Sequence, residues 1–226
     1  MKRTALMVMG LVLSLAAVSG VASAASKASE IVNESRQVVE EMMAAHDKGV
    51  PQELLRKCAG VAIIPSVVKG GFFVGGSYGR GVLMARRGGK WVGPAFLEVG
   101  SGSLGLQFGL EAVDLILVIM NERGMKSLSA SKVKLGADMG LAAGPVGARA
   151  EAASDVQFKA EIYSYSRAKG LFAGIALEGA VVSPMEERNQ LYYGKELSND
   201  DILFRGKTSP PASGQKLIRA LEKITR

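Results

Sequence analysis

Side chains able to do covalent or metal chemistry are few in this chain, and their spacing offers little. The single histidine, His46, and the single cysteine, Cys58, both lie in the N-terminal third. A nucleophile needs a base within hydrogen-bond reach and a third group to orient it, and zinc needs four ligands; a lone pair supplies neither set. His46 falls near the apolar arc of a helical stretch and reads as a boundary residue, and Cys58 reads as a small buried hydrophobe. Gly100-Ser101-Gly102-Ser103-Leu104-Gly105 fits G-x-G-x-x-G after a strand-like Phe96 to Val99. Dinucleotide binding then requires a helix facing the pyrophosphate, whereas Leu104, Leu106 and Phe108 alternate with Gly105, Gln107 and Gly109 as a strand does. Gly206-Lys207-Thr208 ends like a P-loop, but the position of the required earlier glycine is Asp201. No cofactor, metal site or catalytic set is expected, and the chain reads as a binder, not an enzyme.

Charged residues in the strand-rich region are more informative. Asp114 heads the apolar run Leu115 to Val118, where a carboxylate needs a partner. An ion pair, with Lys69 as candidate, is the structural reading; a ligand-orienting role is the functional one. Arg80, Arg86, Arg87 and Lys90 cluster around one expected hairpin, with Trp91 beside them offering the amphipathic ring that membrane interfaces favour. Arg167 and Lys169 form a second group after Tyr163-Ser164-Tyr165. Both clusters are candidate contacts for phosphate or lipid headgroups, against the alternative of ordinary solvated turns. Tyr163, Tyr165 and Phe172 are expected to pack in the sheet.

The elements that must carry these residues begin after an exported leader. Lys2 and Arg3, the apolar Ala5 to Val18 and Ala22-Ser23-Ala24 have the layout of a cleavable signal peptide, with the mature chain starting near Ala25. A membrane anchor is the rival, but Ser14, Ser19 and Gly20 interrupt the run, which falls short of the roughly 20 apolar residues a span needs. No cysteine stands at the cleavage point to take a lipid. Two of the 28 Lys and Arg and none of the 21 Asp and Glu fall in residues 1–25, leaving 26 basic against 21 acidic residues, a net +5. That charge suits an anionic surface, yet it is dispersed and accompanied by no nucleic-acid readout motif. One cysteine makes no internal disulfide, so packing must hold the fold in an oxidising compartment.

Residues 29–48 have helical spacing, with Ile31, Val32, Val38, Val39, Met42 and Met43 on one arc and Glu30, Glu34, Glu40, Glu41 and Asp47 opposite. Ile31, Val38 and Met42 are expected to face the core. Pro51 opens a second short helix through Cys58. From Gly60 to Val182 short apolar runs alternate with turn residues: 61–64, 71–74, 81–84, 95–99, 115–120, 132–135, 158–165 and 171–177. Leu217, Ile218, Leu221 and Ile224 then mark a C-terminal helix over 214–225, after Pro210 and Pro211. The fold class is α+β: a strongly curved, glycine-rich antiparallel sheet or partly closed barrel with N-terminal helices and a C-terminal helix, in a single domain over 26–226.

Gly60 to Pro65, Lys69-Gly70-Gly71-Phe72, Gly75 to Gly81, Trp91 with Pro94, Gly105 to Gly109, Asp114 to Val118, Lys134-Leu135-Gly136, Ala143 to Gly147 and Tyr163 to Arg167 before Gly170-Leu171-Phe172 follow a recognisable order. Together they resemble the SYLF (Ysc84-like) domain, over about residues 30–195. The resemblance implies a module whose relatives bind phosphoinositides and other anionic lipids, and in some eukaryotic members actin filaments. An exported member would meet no actin, and an affinity for anionic envelope lipid is what could carry over. Relatives use an amphipathic segment near the start of the domain for lipid; here the acidic face of residues 29–48 departs from what that role wants. The reading is a periplasmic or secreted, peripherally membrane-bound module contacting anionic headgroups through basic loops. The alternative is an envelope protein that uses the same loops on a protein or glycan partner without lipid affinity.

Overall fold

A computed structural model describes residues 24–42, 49–71, 74–104, 111–145, 160–168, 171–174 and 177–226. Residues 1–23 of the expected leader, His46, Lys169 and residues 105–110 of the expected strand lie outside the described residues.

Helix α1 covers 24–42, beginning earlier than the periodicity indicated because Ala28 joins Val32, Val38, Val39 and Met42 on the buried stripe. Ile31 packs against the same core, so the inward face is as expected. Pro51 precedes α2 (Gln52–Lys57), and its carbonyl accepts from the Leu54 and Leu55 amides. The strands β1 (Gly60–Gly71), β2 (Val74–Arg87), β3 (Lys90–Leu104) and β4 (Glu111–Ile119) follow, then α3 (Glu122–Ala130), β5 (Val133–Lys134), β6 (Leu141–Ala143), β7 (Ile162–Ala168), β8 (Leu171–Gly174) and β9 (Val181–Pro184). Three helices close the chain: α4 (Glu186–Tyr193), α5 (Asn199–Leu203) and α6 (Ala212–Ile224).

The strands form one strongly curved nine-stranded sheet in the order β5-β9-β3-β2-β1-β4-β7-β6, with β8 on β7. Every pairing is antiparallel except β6 with β7, so the α+β class holds with a mixed edge. Helices α3, α4 and α5 were not expected. The run 71–74, read as its own strand, instead straddles the end of β1 and the start of β2.

Both faces of the sheet are covered, which is why its runs are continuously apolar instead of alternating. On one face Val61, Ile63, Val82, Met84, Phe96, Ile116, Val118 and Tyr165 join the buried stripes of α1, α2 and α6. On the other, Ala62, Ile64, Leu83, Leu97, Leu115 and Leu117 pack with Met125 and Leu128 of α3 and Ile202 and Leu203 of α5. Close backbone approach explains part of the glycine content. A Cβ on Gly81 would lie 2.1 Å from the Ile63 carbonyl oxygen, and one on Gly144 would enter the Tyr165 ring.

Candidate functional site

The β2–β3 hairpin turns through Gly88 and Gly89, whose φ of 55° and 78° suit the two-residue turn that matches strand twist. Its arginines are used internally. Arg86 donates through Nη1 to the carbonyls of Leu55 (3.2 Å) and Arg56, the last turn of α2, a charge-assisted cap for a helix C-terminus. Arg87 donates to the Phe204 carbonyl and keeps its exposure. Trp91 corrects the sequence reading: it is 3% exposed, packed in the core beneath α6, and its indole donates to Thr225 Oγ1 at 3.1 Å. Pairing with Arg86 across the hairpin sets that inward side. Lys90 is exposed and, among the described residues, makes no ion pair.

The second expected group is not a free cation cluster. Arg167 on β7 stands opposite Asp114 on β4 in register, and its Nε and Nη2 reach Asp114 Oδ2 at 2.8 and 2.5 Å. Its Nη1 meets Glu41 of α1. Arg167, not Lys69, is thus the ion-pair partner of Asp114 among the described side chains; Lys69 is placed by its backbone on β1, opposite Ser77 and Glu111. The other Asp114 oxygen accepts the Ser66 amide at 2.9 Å, at the irregularity in β1 where Ser66 holds φ of 50°. The structural reading of Asp114 accounts for these contacts. Burial, then Glu30, then Asp114 push the Glu34 carboxyl above its ordinary range on the same side. Arg80 is exposed; its Nε donates to the Tyr78 hydroxyl, which donates to Glu98, both at 2.8 Å.

Sequence reasoning missed the outward face of α6. Leu217, Ala220, Leu221 and Ile224 are buried, which leaves Lys216, Arg219 and Lys223 exposed at i, i+3 and i+7. The lysine and arginine spacing was legible, but only the apolar half of the period was used. Among the described residues none of the three is in an ion pair. A cavity of about 230 Å³ lined by Gly89, Glu222, Thr225 and Arg226 joins the hairpin tip to the end of α6, and Gln52 Nε2 holds the Ile224 carbonyl at 2.7 Å. A second groove, of about 260 Å³, runs between α6 and α1 and is lined by Arg36, Glu40, Lys216, Arg219, Ala220 and Lys223. The hairpin tip therefore abuts the C-terminal end of α6, the helix whose outward face carries the three cations.

Cys58 is buried, its thiol pushed up to about 12 by burial, and it donates to the Leu55 carbonyl. Among the described residues no group of three or more His, Cys, Asp or Glu is placed to hold a metal. Gly100 to Ser103 lie within β3, and Lys207 pairs with Asp201 at 2.7 Å.

The model of the Ysc84 family, described as "Las17-binding protein actin regulator", matches residues 100–224, from the end of β3 through α6. The chain belongs to the Ysc84 family. Known Ysc84 relatives agree: "SH3 domain-containing YSC84-like protein 1" of Homo sapiens is 31% identical over 209 residues, covering 92% of this chain and 60% of the relative. "LAS seventeen-binding protein 3" of Saccharomyces cerevisiae is 33% identical over 180 residues, 78% of this chain and 39% of the relative. The Xenopus laevis YSC84-like protein is 32% identical over 182 residues, 79% of this chain and 54% of the relative. The chain thus spans about 60% or less of the relatives it matches. The SYLF resemblance is borne out by this Ysc84 membership, and the family description is that of a regulator that binds.

Proposed function

We propose that this chain is a non-enzymatic binding module, exported to a bacterial cell envelope, that docks peripherally on anionic lipid through its basic end. The observation carrying this reading is the exposed row of Lys216, Arg219 and Lys223 on α6, a helix whose C-terminal end lies beside the hairpin tip that bears Arg87 and Lys90. Each basic residue at an anionic surface contributes about 1 kcal/mol, and the contribution is screened by salt. The opposite expectation holds for α1, where Glu30 is exposed, while Glu34 and Glu41 are half-buried and Glu41 meets Arg167. Among the described residues no helix is long and apolar enough to cross a membrane, which suits attachment from one side.

Co-sedimentation of the chain from Ala25 onward with zwitterionic vesicles and with vesicles containing phosphatidylglycerol tests the reading. Binding confined to the anionic vesicles and lost at high salt supports it; no binding at any salt overturns it. One observation favours a protein partner instead: Val68 and Tyr78, paired across β1 and β2, are 50% and 44% exposed. That reading predicts no response to either vesicle.

A further inference from the structure

We infer that the far end of the β2–β3 ladder is a two-fold contact surface for a second copy of this chain. Val82 and Phe96, opposite each other in register, are buried under the helices, but one step further along the same face that cover stops. Arg80 opposite Glu98, Tyr78 opposite Gly100 and Gly76 opposite Gly102 follow in turn. Arg80 is exposed, Tyr78 is 44% exposed, and Val68, beside Tyr78 on β1, is 50% exposed. The reverse face at the same level is closed, with Val67, Gly79 and Val99 buried. A ring and a branched apolar side chain are thus left in water on one side of the sheet only.

The register makes this face complementary to itself. A two-fold axis lying between β2 and β3 and parallel to them exchanges the members of each registered pair, so a residue of one copy meets, on the other copy, the residue it already opposes in its own sheet. Arg80 then faces Glu98 of the second copy and Glu98 its Arg80, while Tyr78 faces Gly100 and Gly76 faces Gly102. A cation meets an anion, and a ring meets a residue with no side chain. The nearest atom to a Cβ on Gly100 would be 3.9 Å away and a Cβ on Gly102 would have nothing within 4 Å, so no close approach among the described residues accounts for these two glycines, whereas a facing ring does. The charges are also unspent. Arg80 and Glu98 stand directly across the ladder, where opposite charges ordinarily pair, yet the Tyr78 hydroxyl lies between them, accepting from Arg80 Nε and donating to Glu98 Oε2, both at 2.8 Å. Arg80 Nη1 and Nη2 and Glu98 Oε1 have no partner among the described residues. A guanidinium fork on a carboxylate uses these atoms twice across the axis. The face is small beside the roughly 20–30 residues a side of a standard interface, so the dimer is a reversible one. It forms whether or not the chain binds lipid.

The test is sedimentation equilibrium of the chain from Ala25 onward, without lipid, over concentrations from about 1 μM to about 1 mM, the range in which a small interface dissociates. The expected result is a reversible monomer–dimer equilibrium. Arg80→Glu sets carboxylates against each other across the axis and should weaken the dimer by about tenfold or more, and Glu98→Arg should do the same with two cations. Mixing these two single variants puts the carboxylates of one copy against the guanidinium groups of the other and should restore association, as should both exchanges in one chain. Gly100→Leu fills the recess that takes Tyr78 and should weaken the dimer with the charges intact. A monomer at every concentration overturns the inference. So does a dimer that neither reversal weakens, which would use another face, and so do weakened variants that mixing fails to restore, which would mark the losses as local damage instead of a broken contact.

Discussion

Arg167 donates from two nitrogens to a single oxygen of Asp114, Oδ2, at 2.8 and 2.5 Å, while its third nitrogen meets Glu41 on α1. Through one guanidinium, β4, β7 and the N-terminal helix are tied together. The second Asp114 oxygen fixes the Ser66 amide at the break in β1, so the carboxylate sets the course of a strand as well as the partner of a charge. Removing the cation leaves two carboxylates facing each other with side chains 12% and 35% exposed. Arg167→Met should cost about 2–3 kcal/mol by urea denaturation, somewhat below a fully buried pair. Asp114→Asn, which keeps an acceptor for Ser66, should cost less. An Arg167→Met variant as stable as the parent would show that the network does not hold α1.

Trp91 is the chain's only tryptophan, which makes its burial directly measurable. Emission should be blue and poorly quenched by iodide in the folded protein, and it should not move when anionic vesicles bind. A vesicle-induced blue shift with loss of iodide access would place the indole at the membrane instead of beneath α6.

What the sequence could and could not show follows from the range of each interaction. The runs Val61 to Ile64 and Leu115 to Val118 announce strands locally, and their unbroken apolar character already implies cover on both faces. The pairing of Asp114 with Arg167 depends on β4 lying beside β7, a choice of neighbour that no local pattern encodes. Trp91 beside two arginines looks interfacial until Thr225, far along the chain, is brought over it. Helices α4 and α5 are short, and their boundaries rest on Ser198 and Asp201 capping each other and on the buried Asn189–Asn199 bond instead of an apolar period. The basic row on α6 was legible, because its spacing is the complement of the apolar one.

Glycine positions divide by what lies behind them. Gly81→Ala would force a methyl within 2.1 Å of a backbone oxygen that cannot yield, whereas Gly102 has nothing within 4 Å. The first substitution should cost about 1–3 kcal/mol by overpacking, the second less than about 0.5 kcal/mol. Thermal melts of the two variants decide it, and equal Tm values would refute the close β1–β2 approach.

Glu34 gives a pH dependence of defined sign. Its carboxyl is raised in the folded state, chiefly by burial and then by Glu30 and Asp114, so the folded protein holds that proton to a higher pH than the unfolded chain does. Stability from this group is present below the unfolded pKa and lost as pH rises through the folded one. Glu34→Gln should therefore raise Tm relative to the parent at pH 7 and make no gain at pH 4. A gain of equal size at both values would assign the effect to packing.

The two arginines of the hairpin should separate stability from binding. Arg86 serves the α2 carbonyls with a partly buried guanidinium, so Arg86→Ala leaves those acceptors unmet and should cost about 1–2 kcal/mol of stability. Arg87 and Lys90 are exposed, and Arg87→Gln with Lys90→Gln should leave Tm nearly unchanged while lowering affinity for phosphatidylglycerol vesicles by about 2 kcal/mol. A double substitution of Arg86 and Arg87 would confound the two effects, because lost folding and lost charge both reduce sedimentation. If Arg87→Gln with Lys90→Gln binds vesicles like the parent, and Lys216→Gln with Lys223→Gln does not, the contact lies on α6 and the hairpin tip is its structural neighbour. If neither pair matters, the basic end is a solvated surface and membrane attachment must be sought elsewhere on the chain.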